Sequence, residues 1–325
     1  MSQSLAVGDP VVRPAAAHER VSPRDPRRAL QLALAALWLL DGMLQFQPAM
    51  FGRGFAQMLA GSAHGNPAVV ARPITWSAVL IGHHVVVLNA VFAAVQVLLG
   101  LGIAWRPAVR LALAGSVVWS LAVWWLGEGF GGVLAGTASP VNGAPGAVLL
   151  YGLVAVLLWP AERDPAAPFT AGRAVGRRVA RACWLVVWLG LAVLALLPAS
   201  RAIGGTIAGA SAGEPAWLAW IDAHAASALA RHGLLAAIVL AAVFVVVALG
   251  PLAPPRAAGN GQQRVARAVI VLAVSVAAAL WLAQGLGEIL TGSATDPDTG
   301  PLLALLALAF WPVKAPLNTP PTGGA

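Results

Sequence analysis

Charged residues are scarce in this sequence. Only 10% of its 325 residues are Asp, Glu, Lys or Arg, whereas 59% are apolar, and the mean hydropathy is +0.80. A soluble domain carries about 25% charged residues, which keep its surface in contact with water. The composition therefore excludes a soluble globular protein and predicts a chain that folds in a lipid bilayer.

Cysteine is nearly absent as well. Cys183 is the single cysteine, so an intramolecular disulfide, a CxxC redox pair and a cysteine-rich metal site are all excluded. The N-terminal residues 1–28 lack the apolar run of a cleavable signal peptide. We interpret them as a disordered cytoplasmic tail.

Long apolar segments make up most of the remaining chain. A transmembrane helix needs about 20 such residues, with a range of about 17–25. The sequence therefore predicts an all-α fold, a polytopic membrane helical bundle with about eight transmembrane helices. The predicted spans are 29–46, 78–103, 110–134, 145–160, 182–198, 232–252, 268–290 and 300–313.

The basic residues predict the orientation of these spans. With a cytoplasmic N-terminus, 16 of the 20 Lys and Arg residues fall on the inner side, as the positive-inside rule requires. We expect a multi-pass protein of a cell membrane with both termini cytoplasmic, 314–325 being the second tail. The net charge of +8 is then explained by the membrane orientation of the chain. The lipid bilayer is therefore the expected partner, and binding of nucleic acid is not expected. The Ala-, Arg- and Gly-rich composition indicates a bacterial source.

The two halves of the chain resemble each other. Glycine, proline and histidine positions coincide at an offset of 148 residues up to the inner loop around 254–263, and at an offset of 156 beyond it. These positions predict two parallel four-helix repeats, 29–160 and 182–313, joined by a basic cytoplasmic linker at 161–181. The matches are Gly65 with Gly213, Pro67 with Pro215, His84 with His232, Trp125 with Trp281, and Gly129 with Gly285.

Polar residues inside the apolar segments gather near the predicted outer face. Ionisable groups there cost about 2.5–3.5 kcal/mol on insertion scales and usually have a function. We predict an outward-facing polar site in each repeat. Its candidate residues are Asp41, His83, His84 and Glu128 in the first repeat and His232, Gln284 and Glu288 in the second.

A simpler interpretation is that these helix-end residues meet water or lipid headgroups within an aromatic belt. Asp296 and Asp298 lie in a turn-rich outer loop and are interpreted as solvated. The GxGxxG pattern of Gly127–Gly132 follows an apolar helix and not a strand, so it indicates close helix packing and not nucleotide binding.

Histidine and carboxylate side chains together suit a divalent metal or a proton relay. The sequence has neither an HxxxH nor an HExxH spacing, so metal ligands would have to come from different spans. The catalytic and cofactor-binding residues are left unassigned. Haem, quinone and a divalent metal are all candidates for a cofactor, and whether the chain is an enzyme is open.

Three motifs of the first repeat resemble a known family. They are Leu40-Asp41-Gly42, the Leu98-Leu99-Gly100-Leu101 run that ends the second span, and the basic turn Arg106–Arg110. Over residues 30–160 the chain resembles the four-helix DoxX-like membrane proteins. That resemblance implies a membrane subunit of a redox or quinone-linked assembly, of which thiosulfate:quinone oxidoreductase is an example, with a membrane protein partner. The alternatives are a small-solute or metal-ion transporter and a structural or assembly factor.

Overall fold

The computed structural model describes residues 25–211, 213–250 and 260–313, which form thirteen α-helices and no strand. Predictions that concern residues 1–24, 251–259 and 314–325 lie outside this part of the chain. The helices are α1 (Pro26–Leu44), α2 (Arg53–Gly61), α3 (Ala68–His83), α4 (Val85–Ala104), α5 (Val109–Leu126), α6 (Ala147–Leu157), α7 (Thr170–Val175), α8 (Arg177–Leu196), α9 (Ile203–Ala210), α10 (Ala216–Leu229), α11 (Gly233–Leu249), α12 (Asn260–Ala283) and α13 (Thr299–Leu308).

Four of the helices are long and apolar enough to cross a membrane: α4, α5, α8 and α12. The pair α10 and α11, bent by 103°, supplies a fifth if it is one span. The all-helical prediction is therefore confirmed, with four to five helices of spanning length in the described residues. The predicted fourth and eighth spans correspond to α6 and α13, which have only 11 and 10 residues.

Three predicted spans differ from the helices that form, and one of them, 268–290, loses its helix at Ala283, before Gln284 and Glu288. Segment 78–103 is broken at His84 (φ −132°, ψ 34°), so that α3 and α4 are separate helices. Segment 110–134 loses its helix at Leu126, because the glycines that follow adopt positive φ. Glu128 consequently lies in a loop beyond the helix and not within a span.

The helices pair in the same way in both halves. In the first half α1 packs on α4, α2 on α3, and α5 on α6; in the second half α8 packs on α11, α9 on α10, and α12 on α13. The short helices α6 and α13 pack against each other and join the halves. One hydrophobic core therefore runs through both, with Trp38, Tyr151, Trp184, Trp188 and Phe244 fully buried in it.

The segment predicted to be a cytoplasmic linker is folded onto the second half. It contains α7, and the Ala171 N–H donates to the Ala309 carbonyl oxygen at 3.0 Å. The ring of Phe169 stacks on that of Phe310, with 5.1 Å between centroids. Residues 161–181 are thus partly helical and packed against the end of α13.

One end of the first-half bundle, where α1 and α5 begin and α4 and α6 end, is called the basic end. Here the Arg28 guanidinium donates to the carbonyl oxygens of Ile103 and Ala104, the last residues of α4. A cation at a helix C-terminus is stabilised by the helix dipole. Arg27 forms an ion pair with Glu162 at 2.6 Å, next to the end of α6.

Helices α1 and α4 approach closely because Gly100 has no side chain. A Cβ atom at Gly100 would lie 2.7 Å from Leu39 Cγ and 2.9 Å from the Ala35 carbonyl oxygen. The second of these is backbone of α1 and cannot move aside alone. Gly190, within α8, has open space at the same atom.

We expect Gly100→Ala to destabilise the protein by about 1–3 kcal/mol, the usual effect of overpacking. The matched control Gly190→Ala should be neutral or slightly stabilising, since alanine favours the helix. Unfolding midpoints of the two variants in detergent or nanodiscs measure the difference. Equal midpoints would contradict the close contact between α1 and α4.

Candidate functional site

Each half contains one left-handed turn after its long helix α5 or α12. The residues of Gly129–Gly132 have φ values of 55°, 59°, 62° and 70°, and those of Gly285–Glu288 have 61°, 56°, 68° and 55°. Phe130, Leu286 and Glu288 are not glycines, and the left-handed conformation costs about 1–2 kcal/mol for such residues. Strain of this kind persists only where the surrounding structure holds it in place.

Glu128 immediately precedes the first left-handed turn and is fixed at the start of α6. Its Oε1 accepts a hydrogen bond from the Val148 N–H at 3.1 Å. The carboxylate lies where a side chain on Gly146 would be, so only glycine fits there. A carboxylate is stabilised at a helix N-terminus by the helix dipole. The other oxygen, Oε2, is buried and has no hydrogen-bond partner.

Gln284 occupies the same position in the second half, 156 residues later. Its Nε2 donates to the Pro140 carbonyl oxygen at 3.0 Å and to Thr299 Oγ1 at 3.0 Å. Thr299 is the first residue of α13. Because Pro140 belongs to the first half, a loop of that half lies over the site of the second half.

The reverse contact is made by Asp296, which aligns with Pro140 at the offset of 156. Asp296 of the second half lies with Glu128 of the first half on the walls of two shared cavities. The halves therefore exchange the loops that follow their left-handed turns. One resulting pair, Gln284 with Pro140, is neutral and hydrogen-bonded. The other pair, Glu128 with Asp296, consists of two carboxyl groups that line the same two cavities.

The first cavity, called the polar cavity, has a volume of about 330 Å³. Among the residues that line it no Lys or Arg occurs, and His64 is the single residue with a basic side chain. It is thus an acidic, hydrophilic chamber. Its polar side chains are Ser62, His64, Asn66, Glu128, Thr137, Asn142, Asp296 and Asp298.

The second cavity, called the apolar cavity, has a volume of about 230 Å³ and is enclosed mainly by aromatic and aliphatic side chains. Asp41 lies on its wall, is 1% exposed, and accepts a hydrogen bond from the Tyr151 hydroxyl at 2.8 Å. The Oε1 atoms of Gln45 and Gln96 are buried without a partner. Buried polar atoms are nearly always hydrogen-bonded, so these acceptors indicate space for a donor.

A third cavity, of about 300 Å³, lies on the second-half side of the same loops. Gln284, Glu288 and Asp298 line it, and Asp296 lines all three cavities. The end of the molecule that contains the three cavities is called the acidic end. It lies where α1 and α5 end, opposite the basic end.

The structure separates the candidate residues of the sequence into three groups. Asp41 and Glu128 share the apolar cavity, and Gln284 and Glu288 share the third cavity. The candidate histidines His83, His84 and His232 line none of the three cavities. His84 and His232 are exposed at the starts of α4 and α11, and His83, also exposed, contacts the Val79 carbonyl oxygen through Nδ1 at 2.7 Å.

Sequence reasoning missed Tyr151, Gln45, Gln96, Asp296 and Asp298 as parts of the site. Asp296 and Asp298 carried a signal, since a carboxylate is rare in this chain, but their loop position suggested solvation. Within the described residues no group of three or more His, Cys, Asp or Glu side chains is arranged to hold a metal ion.

Burial without a neighbouring cation changes the acidity of the loop carboxyl groups. Burial, and then the charge of Asp296, raise the pKa of Asp298 to about 7. Burial also raises the pKa of Asp296 above its ordinary value. The loop of the second half therefore carries carboxyl groups that hold protons more tightly than exposed aspartates do.

In comparisons with known proteins, no family model, no curated protein and no solved structure matches this chain. The DoxX-like interpretation stays a prediction from the motifs of the first repeat.

We expect Asp298→Asn to flatten the dependence of stability on pH. The folded protein holds the Asp298 proton up to a pKa of about 7, whereas the ordinary value is 3.8. The folded state then binds more protons between these values, so stability falls as pH rises from about 4 to 7 and levels off above. Asn142 occupies the aligned position of the first half, which indicates that asparagine fits such a loop.

Unfolding midpoints measured from pH 5 to pH 8 test this expectation. Asp296 and Glu288 are the carboxyl groups that act on Asp298, and both stay in the variant. Asp164→Asn is the control, since Asp164 pairs with Arg177 at 2.6 Å, away from the cavities. An unchanged slope in Asp298→Asn would show that Asp298 does not hold its proton in the folded protein.

Proposed function

We propose that this protein binds a quinol-type amphiphile at its acidic end, as the membrane subunit of a redox-linked assembly. The observation that carries the proposal is the apolar cavity. Aromatic side chains line it, together with buried hydrogen-bond acceptors that have no donor. The side chains of Trp38, Phe55, Phe92 and Trp119 offer flat apolar surface, on which an aromatic ring packs well.

The polar atoms of this cavity favour the reduced form of such a ligand. A quinol carries two hydroxyl donors on an aromatic ring, and a quinone carries only acceptors. The free Oε1 atoms of Gln45 and Gln96 are acceptors, and an ionised Asp41 is an acceptor too. Leaving one buried acceptor unpaired costs about 1–3 kcal/mol, so a ligand that supplies donors gains that energy on binding.

The proposal includes eight spans in two parallel repeats. It is supported by the left-handed turns of Gly129–Gly132 and Gly285–Glu288 and by the equivalent helix pairs of the two halves. The fourth and eighth spans, α6 and α13, are shorter than a bilayer is thick. The two helices pack against each other between the halves. Because they contact protein there, their length does not have to equal the thickness of the bilayer.

The proposed orientation puts the acidic end outside the cell and both termini in the cytoplasm. The excess of Lys and Arg in the predicted inner segments supports it. Arg27 and Arg28 lie at the basic end, opposite Asp41 and Glu128. A bacterial plasma membrane, with its quinone pool, fits this proposal.

A partner is part of the proposal, because the chain has a single cysteine and no redox pair. The electrons of a bound quinol would have to pass to a membrane protein partner or to a cofactor such as haem. This division of work agrees with the resemblance of residues 30–160 to DoxX-like proteins.

Anaerobic titration of the protein in nanodiscs with decylubiquinol and with decylubiquinone tests the proposal. We expect the quinol to bind more tightly than the quinone. Gln45→Leu and Gln96→Leu should each weaken quinol binding about 5- to 30-fold, the effect of losing about 1–2 kcal/mol, and should leave quinone binding nearly unchanged. Gln57→Leu is the control, since Gln57 is exposed on α2.

Two results would overturn the proposed function. The first is no binding of either compound, and the second is equal affinity for both forms with no effect of the glutamine variants. Tighter binding of decylamine than of decylubiquinol would also count against a quinol, because it would assign the acceptors to an organic cation.

A further inference from the structure

We infer that Glu128 and Asp296 form a proton relay that joins the apolar cavity to the polar cavity. The inference rests on the proposed function for the identity of the proton donor, but the relay itself is a property of the ligand-free protein. It requires two carboxyl groups that each reach both cavities, and a hydrophilic cavity that can supply water.

Both groups meet the first requirement. Glu128 and Asp296 line the apolar cavity and the polar cavity alike. Glu128 is anchored through Oε1 to the start of α6, and its Oε2 is buried and free of any partner. Asp296 is anchored by the Asp298 N–H at 2.8 Å and by the Thr295 hydroxyl at 3.0 Å. Their positions are therefore fixed, and one oxygen of Glu128 is left for a proton.

The surrounding charges favour a shared proton over two anions. On the apolar side the facing groups are Asp41 and its donor Tyr151. On the polar side they are Asp298 and His64. No Lys or Arg lines either cavity. Two carboxylates at one site without a cation repel each other, and a bound proton removes that repulsion.

The transfer can be written so that every atom is accounted for. A hydroxyl O–H bond of the quinol breaks, its proton forms an O–H bond on the Glu128 carboxylate, and the electron pair stays on the ligand as a quinolate. The proton that Asp296 already shares passes to water in the polar cavity, and the proton on Glu128 then moves to the Asp296 carboxylate through water in the cavities that both groups line. No electron moves in these steps, and oxidation of the quinolate belongs to the partner.

The second half has no such relay. At the equivalent positions Gln284 replaces Glu128 and Pro140 replaces Asp296, and the two are joined by a hydrogen bond of 3.0 Å. Neither an amide nor a proline carries a titratable proton. One chain therefore has one relay, although it has two repeats.

Infrared spectroscopy of the ligand-free protein in nanodiscs tests the relay directly. We expect a carbonyl band of a protonated carboxylic acid that shifts soon after transfer to D₂O, because the polar cavity supplies water to a buried proton. Glu128→Gln and Asp296→Asn should each lower the intensity of that exchanging band, to which Asp298 also contributes below its pKa of about 7. Glu128→Gln reproduces the residue of the second half and should fold.

Asp222→Asn serves as the control, since Asp222 is buried at 1% exposure on α10 and lies apart from the three cavities. The exchanging band should persist in this variant. A band that exchanges over hours, or one whose intensity is unchanged in both Glu128→Gln and Asp296→Asn, would overturn the relay.

Calorimetry with decylubiquinol in two buffers of different ionisation enthalpy separates the relay from the proposed function. We expect wild-type protein to release a proton on binding and Glu128→Gln to lose that release. Quinol binding without an exchanging carboxyl band would refute the relay alone. An exchanging band in a protein that binds no quinol would refute the proposed function and leave the relay supported.

Discussion

Two carboxyl groups, Glu128 and Asp296, line the same two cavities at the contact between the halves, and no Lys or Arg lines those cavities. Removing an unpaired charge from water costs free energy. The protonated form of such a carboxyl group is therefore favoured. The anchoring hydrogen bonds, the left-handed turn of Gly129–Gly132 and the missing side chain of Gly146 all hold these groups in place. In this account the chemistry of the acidic end follows from that constraint.

The comparison of the halves explains why the constraint acts once per chain. At the same position the second half has Gln284, whose amide reaches Pro140 and Thr299 and leaves no charge to neutralise. Equivalent loops of the two halves therefore differ in charge. Gln284 and Pro140 form a neutral contact, whereas Glu128 and Asp296 are both carboxyl groups.

The sequence predicted the helical fold and the alignment of Glu128 with Gln284, because hydropathy and register are local properties. It did not predict that Asp296, 168 residues from Glu128, lines the same two cavities, because this depends on the exchange of loops between the halves. The histidines at 84 and 232 align well, but both lie at exposed helix starts. Helix ends such as Leu126 also escaped prediction, since they depend on glycine conformations that tertiary contacts impose.

A pair of introduced cysteines tests most directly whether the halves exchange the loops that follow their left-handed turns. Ser200 Oγ donates to Ser139 Oγ at 2.9 Å, and both serines are buried where a loop of the first half meets the second half. In a Cys183→Ala background, Ser139→Cys with Ser200→Cys should form a disulfide within one chain, seen by mass spectrometry of the non-reduced monomer. The pair Ser139→Cys with Ser227→Cys, where Ser227 is exposed on α10, should not. Failure of the first pair to cross-link, or a bond formed only between two chains, would contradict the exchanged loops and the shared acidic site.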